Sequence, residues 1–204
     1  METLVRTLEV QKNEFKQRKL LATPLAGLIA WVVVGLSGLF LSERTTVLVL
    51  FAATGSIVYL ALIISKFTGE NHLKKDKPKN TFDKLFFFGM AQALLVYSIA
   101  IPFFMTDYTS LPLTIGILTG LMWFPMSWIL DHWVGIFHSV TRTILVLALW
   151  YMFPQQRFIA IPIAIVVVYA ITLYALVNRN KTVTQQEERD SVTDMRLSHL
   201  SPAK

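Results

Sequence analysis

Residues 111–153 read LPLTIGILTGLMWFPMSWILDHWVGIFHSVTRTILVLALWYMF, and across these 43 positions the only charged side chains are Asp131 and Arg142. A helix needs about 20 mostly apolar residues to cross the hydrocarbon core of a bilayer. The stretch is therefore too long for one crossing and fits two joined by a tight connection. Asp131-His132 marks the connection, and Trp128 and Trp133 flank it as aromatic side chains do at a membrane–water interface. Trp150 and Tyr151 mark the opposite interface.

Four further stretches pass the same test, giving spans at 20–41, 45–65, 85–104, 111–130, 133–153 and 158–177. The expected fold is all-α, a polytopic bundle of six transmembrane helices forming one domain over 20–177. Composition agrees: 54% of the 204 residues are hydrophobic, 16% are charged, and the mean hydropathy is +0.53. A soluble domain carries about 25% charged residues.

Orientation follows from the basic side chains. The lead 1–19 holds five Lys and Arg, the loop 66–84 six and the tail 178–204 five, whereas the alternate connections hold only Arg44 and Arg157. Basic loops stay on the cytoplasmic side, so both termini are expected in the cytoplasm and the chain in a cell membrane. The net charge of +6 thus reflects topology and not a nucleic-acid surface. With no cysteine, disulfides and thiolate chemistry are excluded.

In the lead, Leu4, Leu8 and Phe15 share a side near Lys12, Lys16, Arg18 and Lys19. Two readings fit: an interfacial helix, or a solvated extension of the first span. The basic run 74–79 has similar potential for headgroup contact. The polar tail, with Met195, Leu197 and Leu200 as its apolar hint, suits disorder or a short surface helix.

Topology leaves one basic residue unexplained. Arg142 lies near the middle of the fifth span, where an arginine costs at least about 2.5–3.5 kcal/mol on insertion scales. Asp131, Gly135, His138 and Arg142 recur at helical spacing, with His132 beside the start of that stripe. No span interior holds a carboxylate to neutralise the arginine. Candidate neutral partners are Gln92, Tyr97, Thr119, Thr141 and the Leu121 carbonyl, which Pro125 deprives of its helical donor. The expected site is therefore a ligand-binding one around Arg142, His138, Asp131, His132, Gln92 and Tyr97, between the fourth and fifth spans.

Three functions remain open at this point. A transporter-like or ligand-binding protein would take a small anion or lipid headgroup at Arg142 and His138. A structural or regulatory subunit would use the same pair as a buried packing lock. A metal-dependent hydrolase would bring Asp131, His132 and His138 onto one ion. Against the third, no HExxH, Walker A or GxSxG occurs, and no cofactor or metal is expected. Gly116 and Gly120 form a GxxxG that could join two copies of the chain; Gly89/Ala93 and Gly135/Ser139 are similar small-residue pairs.

The segment His132-Trp133-Val134-Gly135, with His138, Arg142-Thr143, Leu149-Trp150-Tyr151 and Phe153-Pro154, resembles an uncharacterised family of small bacterial multi-span membrane proteins. The likeness covers the last four spans. It implies a bacterial membrane setting and no particular chemistry.

Overall fold

The computed structural model describes residues 6–70 and 80–200, with side chains described as far as 185 and at Arg189. Leu4, the basic run 74–79 and the side chains of Met195, Leu197 and Leu200 lie outside the described residues. Among the described residues the chain is helical, without strands. In order come α1 (Leu8–Lys16), α2 (Ala22–Phe40), α3 (Glu43–Gly55), α4 (Ile57–Phe67), α5 (Thr81–Leu95), α6 (Tyr97–Thr106), α7 (Leu111–Leu118), α8 (Trp123–Leu130), α9 (Val134–Met152) and α10 (Arg157–Leu200). A short 3-10 turn, Tyr108–Ser110, leads into α7.

Five stretches are long and apolar enough to cross a membrane: Ala22–Phe40, Thr81–Thr106, Tyr108–Leu130, Val134–Met152 and Arg157–Gln185. The pair α3 and α4 supplies a sixth if its 50° bend is taken within one span. That bend has a local cause. The Thr54 hydroxyl donates to the Leu50 carbonyl and the Ser56 hydroxyl to that of Ala53, on either side of Gly55. Such side-chain bonds and a glycine both weaken a helix interior. Large apolar side chains cover the outside, with Phe67 85%, Met105 80% and Phe40 79% exposed. Water does not tolerate an apolar exterior of this extent, whereas lipid does.

Inside, α2 and α10 form the axis of the bundle, with α3 and α4 on α2 and with α7, α8 and α9 on the other flank. Two glycines of α2 permit the close approach. A β-carbon on Gly38 would lie 2.4 Å from the Phe158 carbonyl oxygen, and one on Gly27 would lie 2.4 Å from Cζ and Oη of Tyr169. The largest wholly buried side chains include Trp31 and, unusually for a charged residue, Arg142.

The lead is not a continuous extension of the first span. It breaks at Leu20, whose φ is +53°, and α1 folds back across one end of the bundle as a strap. Phe15 is 1% exposed and sits 6.2 Å from the rings of both Phe82 and Phe86 of α5. Arg18 pairs with Asp83, and the Asn80 side-chain amide donates to the Gln11 carbonyl at 2.7 Å. Lys12 and Lys16 reach Asp131 at 3.0 and 2.6 Å, while Arg179 donates to the Lys16 carbonyl. The break leaves the first amides of α2 in need of an acceptor, and Glu70 supplies it: Oε1 accepts from Leu21 and Ala22 at 2.8 and 3.0 Å.

The tail also departs from expectation. Helix α10 runs on to Leu200 without interruption, since no Gly or Pro occurs between Pro162 and Pro202.

Candidate functional site

The break that shapes the site lies between α7 and α8. Pro125 was expected to kink a continuous helix and free the Leu121 carbonyl toward Arg142. Instead the helix ends at Leu118, residues 119–122 form turns, and Pro125 falls in the first turn of α8, where its missing N–H is not required. The Leu121 carbonyl accepts from the Phe124 amide at 3.0 Å, and Leu121 itself is 43% exposed. The turn presents Thr119 and Gly120 to α9 in its place.

Arg142 is completely buried. One terminal nitrogen donates to the Tyr169 hydroxyl at 3.2 Å and lies 3.3 Å from His138 Nε2. The other donates to the Thr119 hydroxyl at 2.8 Å, and the remaining nitrogen, Nε, has no partner. The guanidinium carbon stands 5.4 Å from the ring centroids of both Trp31 and Tyr169, within the roughly 6 Å of a cation–π contact. Gly120 makes room for the side chain, because a β-carbon there would come within 2.9 Å of Arg142 Cδ. The Gly120 carbonyl meanwhile accepts from the Ser139 hydroxyl at 2.9 Å.

Proton positions follow along the chain of contacts. Thr172 donates its hydroxyl to the Val168 carbonyl at 2.8 Å, so it can only accept from His138 Nδ1, 2.9 Å away. His138 is therefore neutral with its proton on Nδ1, leaving Nε2 as an acceptor for Arg142. Thr119 likewise donates to the Ile115 carbonyl at 2.6 Å and accepts from the arginine. Every hydrogen-bond partner of Arg142 among the described residues is neutral. An arginine does not give up its proton in proteins, so the cluster carries an uncompensated positive charge. From Val134 to Arg142 is about 12 Å along α9, which sets that charge near the middle of the span.

The expected stripe divides. Gly135, His138 and Arg142 all face inward, and a β-carbon on Gly135 would overlap the Trp123 carbonyl oxygen at 2.2 Å. Asp131 does not join them. It caps α8 in the left-handed region at φ +46°, and the ammonium groups of Lys16 and Lys12 hold its carboxyl below the usual range. His132 accepts from the Val134 amide at 3.2 Å and stacks on Trp133. Burial, then the charge of Arg179, holds its imidazole below the ordinary value. Gln92 is exposed on α5, and the Tyr97 hydroxyl bonds Thr54 at 2.7 Å. Asp131, His132 and His138 thus do not converge, and no metal-holding group of His, Asp and Glu occurs among the described residues.

Sequence reasoning named Thr119 as a partner but missed Trp31, Tyr169 and Thr172. The last two had a signal: they are polar positions three apart in the otherwise aliphatic run 158–173, on one helical face. The glycine pairs also resolve. Gly116 packs against Val146 and Ile165, and Gly120 against Arg142, so both face the interior of this chain. A β-carbon on Gly89 would meet nothing within 4 Å, so Gly89/Ala93 is no close contact.

Beside the cluster lies a narrow cavity of about 40 Å³, room for up to about three waters. Thr119, Tyr169 and Trp123 line it on one side, and its other lining residues include Thr23 of α2, Thr54 of α3 and Met90 of α5. The two residues whose hydroxyls accept from Arg142 therefore also line this space. Thr119 has already committed its proton. Tyr169 has no acceptor for its own among the described residues, and the cation behind it makes that proton a stronger donor.

No curated protein and no solved structure matches the chain. Residues 9–179 match a family of unknown function, DUF7010, and that region takes in all of α1 but Leu8, the whole Arg142 cluster and the cavity wall. The chain belongs to this family of unknown function, as a helical protein with five or six helices able to cross a membrane.

Proposed function

We propose that this chain is a membrane-embedded binding protein whose ligand presents a small anionic or strongly hydrogen-bond-accepting group to the cavity at Thr119 and Tyr169. One observation carries the reading: a permanent cation is wholly buried at mid-span, all its partners are neutral, and two of them line a cavity. An unpaired buried charge costs several kcal/mol, and such residues within spans are by default functional. An anion at the Tyr169 hydroxyl would supply the missing charge through one intervening hydrogen bond. The basic residues, sixteen on alternate segments against two, support placing both termini in the cytoplasm. Transport of the same anion would be a further step on this reading.

A second reading has its own support. Arg142 joins α9 to α7 through Thr119 and to α10 through Tyr169, and it faces Trp31 of α2, so the cluster could serve only as a lock between helices. Thermal unfolding of purified protein separates the two. Chloride, nitrate and acetate are compared with gluconate at constant ionic strength, in the wild type and in Tyr169→Phe. Binding predicts stabilisation by at least one small anion, by about 1.4 kcal/mol at ten times its Kd, and loss of that response in Tyr169→Phe. If no small anion stabilises the wild type while Arg142→Gln merely lowers its stability, the lock stands and binding fails.

A further inference from the structure

A second, independent site lies where the strap joins the bundle. The linker between α1 and α2 and the outer part of α10 flank an open surface groove of about 500 Å³. Lys19 and Lys181 line it, with Asn180, Thr184 and Gln185 as polar wall and Leu21 and Val177 as apolar floor. The walls are fixed to each other, since the Asn180 side-chain amide donates to the Lys19 carbonyl at 3.0 Å and Arg179 donates to that of Lys16. The left-handed turn at Leu20 buries that leucine and leaves Lys19 exposed beside the groove. Among the described residues neither lysine has an ion-pair partner.

Depth identifies the occupant. From Arg157 to Val177 is about 30 Å of helix, the thickness of the hydrocarbon core. Lys181 lies about 6 Å further on, in the layer where lipid headgroups sit. Two unpaired ammonium groups at that depth, above an apolar floor continuous with the lipid-facing side of α10, match a phosphodiester headgroup with its acyl chains below. We infer that this groove binds the headgroup of an anionic phospholipid, with Lys19 and Lys181 holding the phosphate and the glycerol side resting against Leu21 and Val177. Membrane lysines so placed attract anionic lipid; here the groove adds a fixed geometry.

The test measures thermal stability and lipid retention by native mass spectrometry, with phosphatidylglycerol or phosphatidylcholine added to purified full-length protein. Wild type should retain phosphatidylglycerol selectively and be stabilised by it. Lys19→Gln/Lys181→Gln should weaken retention about tenfold or more, whereas Lys66→Gln, another exposed lysine, should not. Both substituted side chains are exposed, so the variant is expected to fold, and its stability in phosphatidylcholine checks this. Equal retention of the two lipids, an unaffected double variant, or an equal loss in Lys66→Gln would overturn the inference. So would inorganic phosphate reproducing the stabilisation, which would assign the groove to a free anion. Tyr169→Phe should leave the lipid response intact, so this site and the Arg142 cavity fail separately.

Discussion

Replacing Gly27 by alanine tests whether the bundle holds Tyr169 against Arg142. The added methyl would lie 2.4 Å from Cζ and Oη and 2.8 Å from Cε1 of Tyr169, a ring only 5% exposed. The ring must move, and over-packing of this kind costs about 1–3 kcal/mol. Moving it breaks the hydrogen bond that Arg142 donates, worth about 1.5–3 kcal/mol as a bond to a charged group. The helix propensity of alanine over glycine returns about 0.8–1 kcal/mol. The net expectation is a loss of roughly 1.5–5 kcal/mol, measured by reversible unfolding in mixed detergent. Gly89→Ala is the control: it meets nothing within 4 Å and should leave stability unchanged or slightly raised. The mechanism also requires coupling. Once Gly27→Ala has displaced the ring, adding Tyr169→Phe should cost less than it does alone, by about the worth of the lost bond. A Gly27→Ala cost below about 0.5 kcal/mol, or strict additivity with Tyr169→Phe, would refute the reasoning.

Two further outcomes concern the strap. Phe15→Ala removes the ring that seats α1 between Phe82 and Phe86, a truncation worth about 3–5 kcal/mol in a core; hydrogen exchange should accelerate in α1 and the start of α5 while α9 and α10 keep their protection. Asp131 has its folded pKa depressed by Lys16 and Lys12, so its contribution is present above the unfolded carboxylate value near 3.9 and fades as pH falls below it. Because Asp131 is half exposed, the effect should be small: α1 amides should lose protection, relative to their intrinsic exchange rates, below about pH 4 in wild type, and Asp131→Asn should remove that pH dependence at little cost in stability. A wild-type strap whose protection is unchanged between pH 6 and pH 3 would contradict this role.

The spans were legible because apolar length is a local property. Each stretch of about 20 uncharged residues is long enough to cross, and the charge of Asp131 was enough to split residues 111–153. Arg142 and His138 were legible for the converse reason, since a charge within a span is conspicuous. What could not be read was which helix would meet them. Tyr169 and Thr172 reach the site only because α10 packs beside α9, and Trp31 only because Gly27 and Gly38 let α2 approach α10. Asp131 fits the helical spacing of the stripe, but spacing holds only while the helix continues. The left-handed cap at Asp131 ends α8 and turns its carboxylate to Lys12 and Lys16, a partnership set by a strap more than 100 residues earlier. Long-range pairing of this kind leaves no periodic trace.

The distribution of charge around Arg142 bears most directly on function. A lock between helices needs hydrogen bonds, and neutral side chains could provide them at lower cost than a guanidinium. Three bonds to neutral acceptors and two aromatic faces offset part of the desolvation, but none restores neutrality. The ion pairs of the strap, by contrast, pair opposite charges at an exposed end where each pair matters least. The strap thus pairs Lys12 and Lys16 with Asp131, while the buried Arg142 has no charged partner among the described residues. It also keeps the histidine beside that cation neutral, with its proton directed to Thr172 and away from Arg142. A buried cation with neutral partners, beside a cavity that Thr119 and Tyr169 line, is the feature on which the proposed anion binding rests.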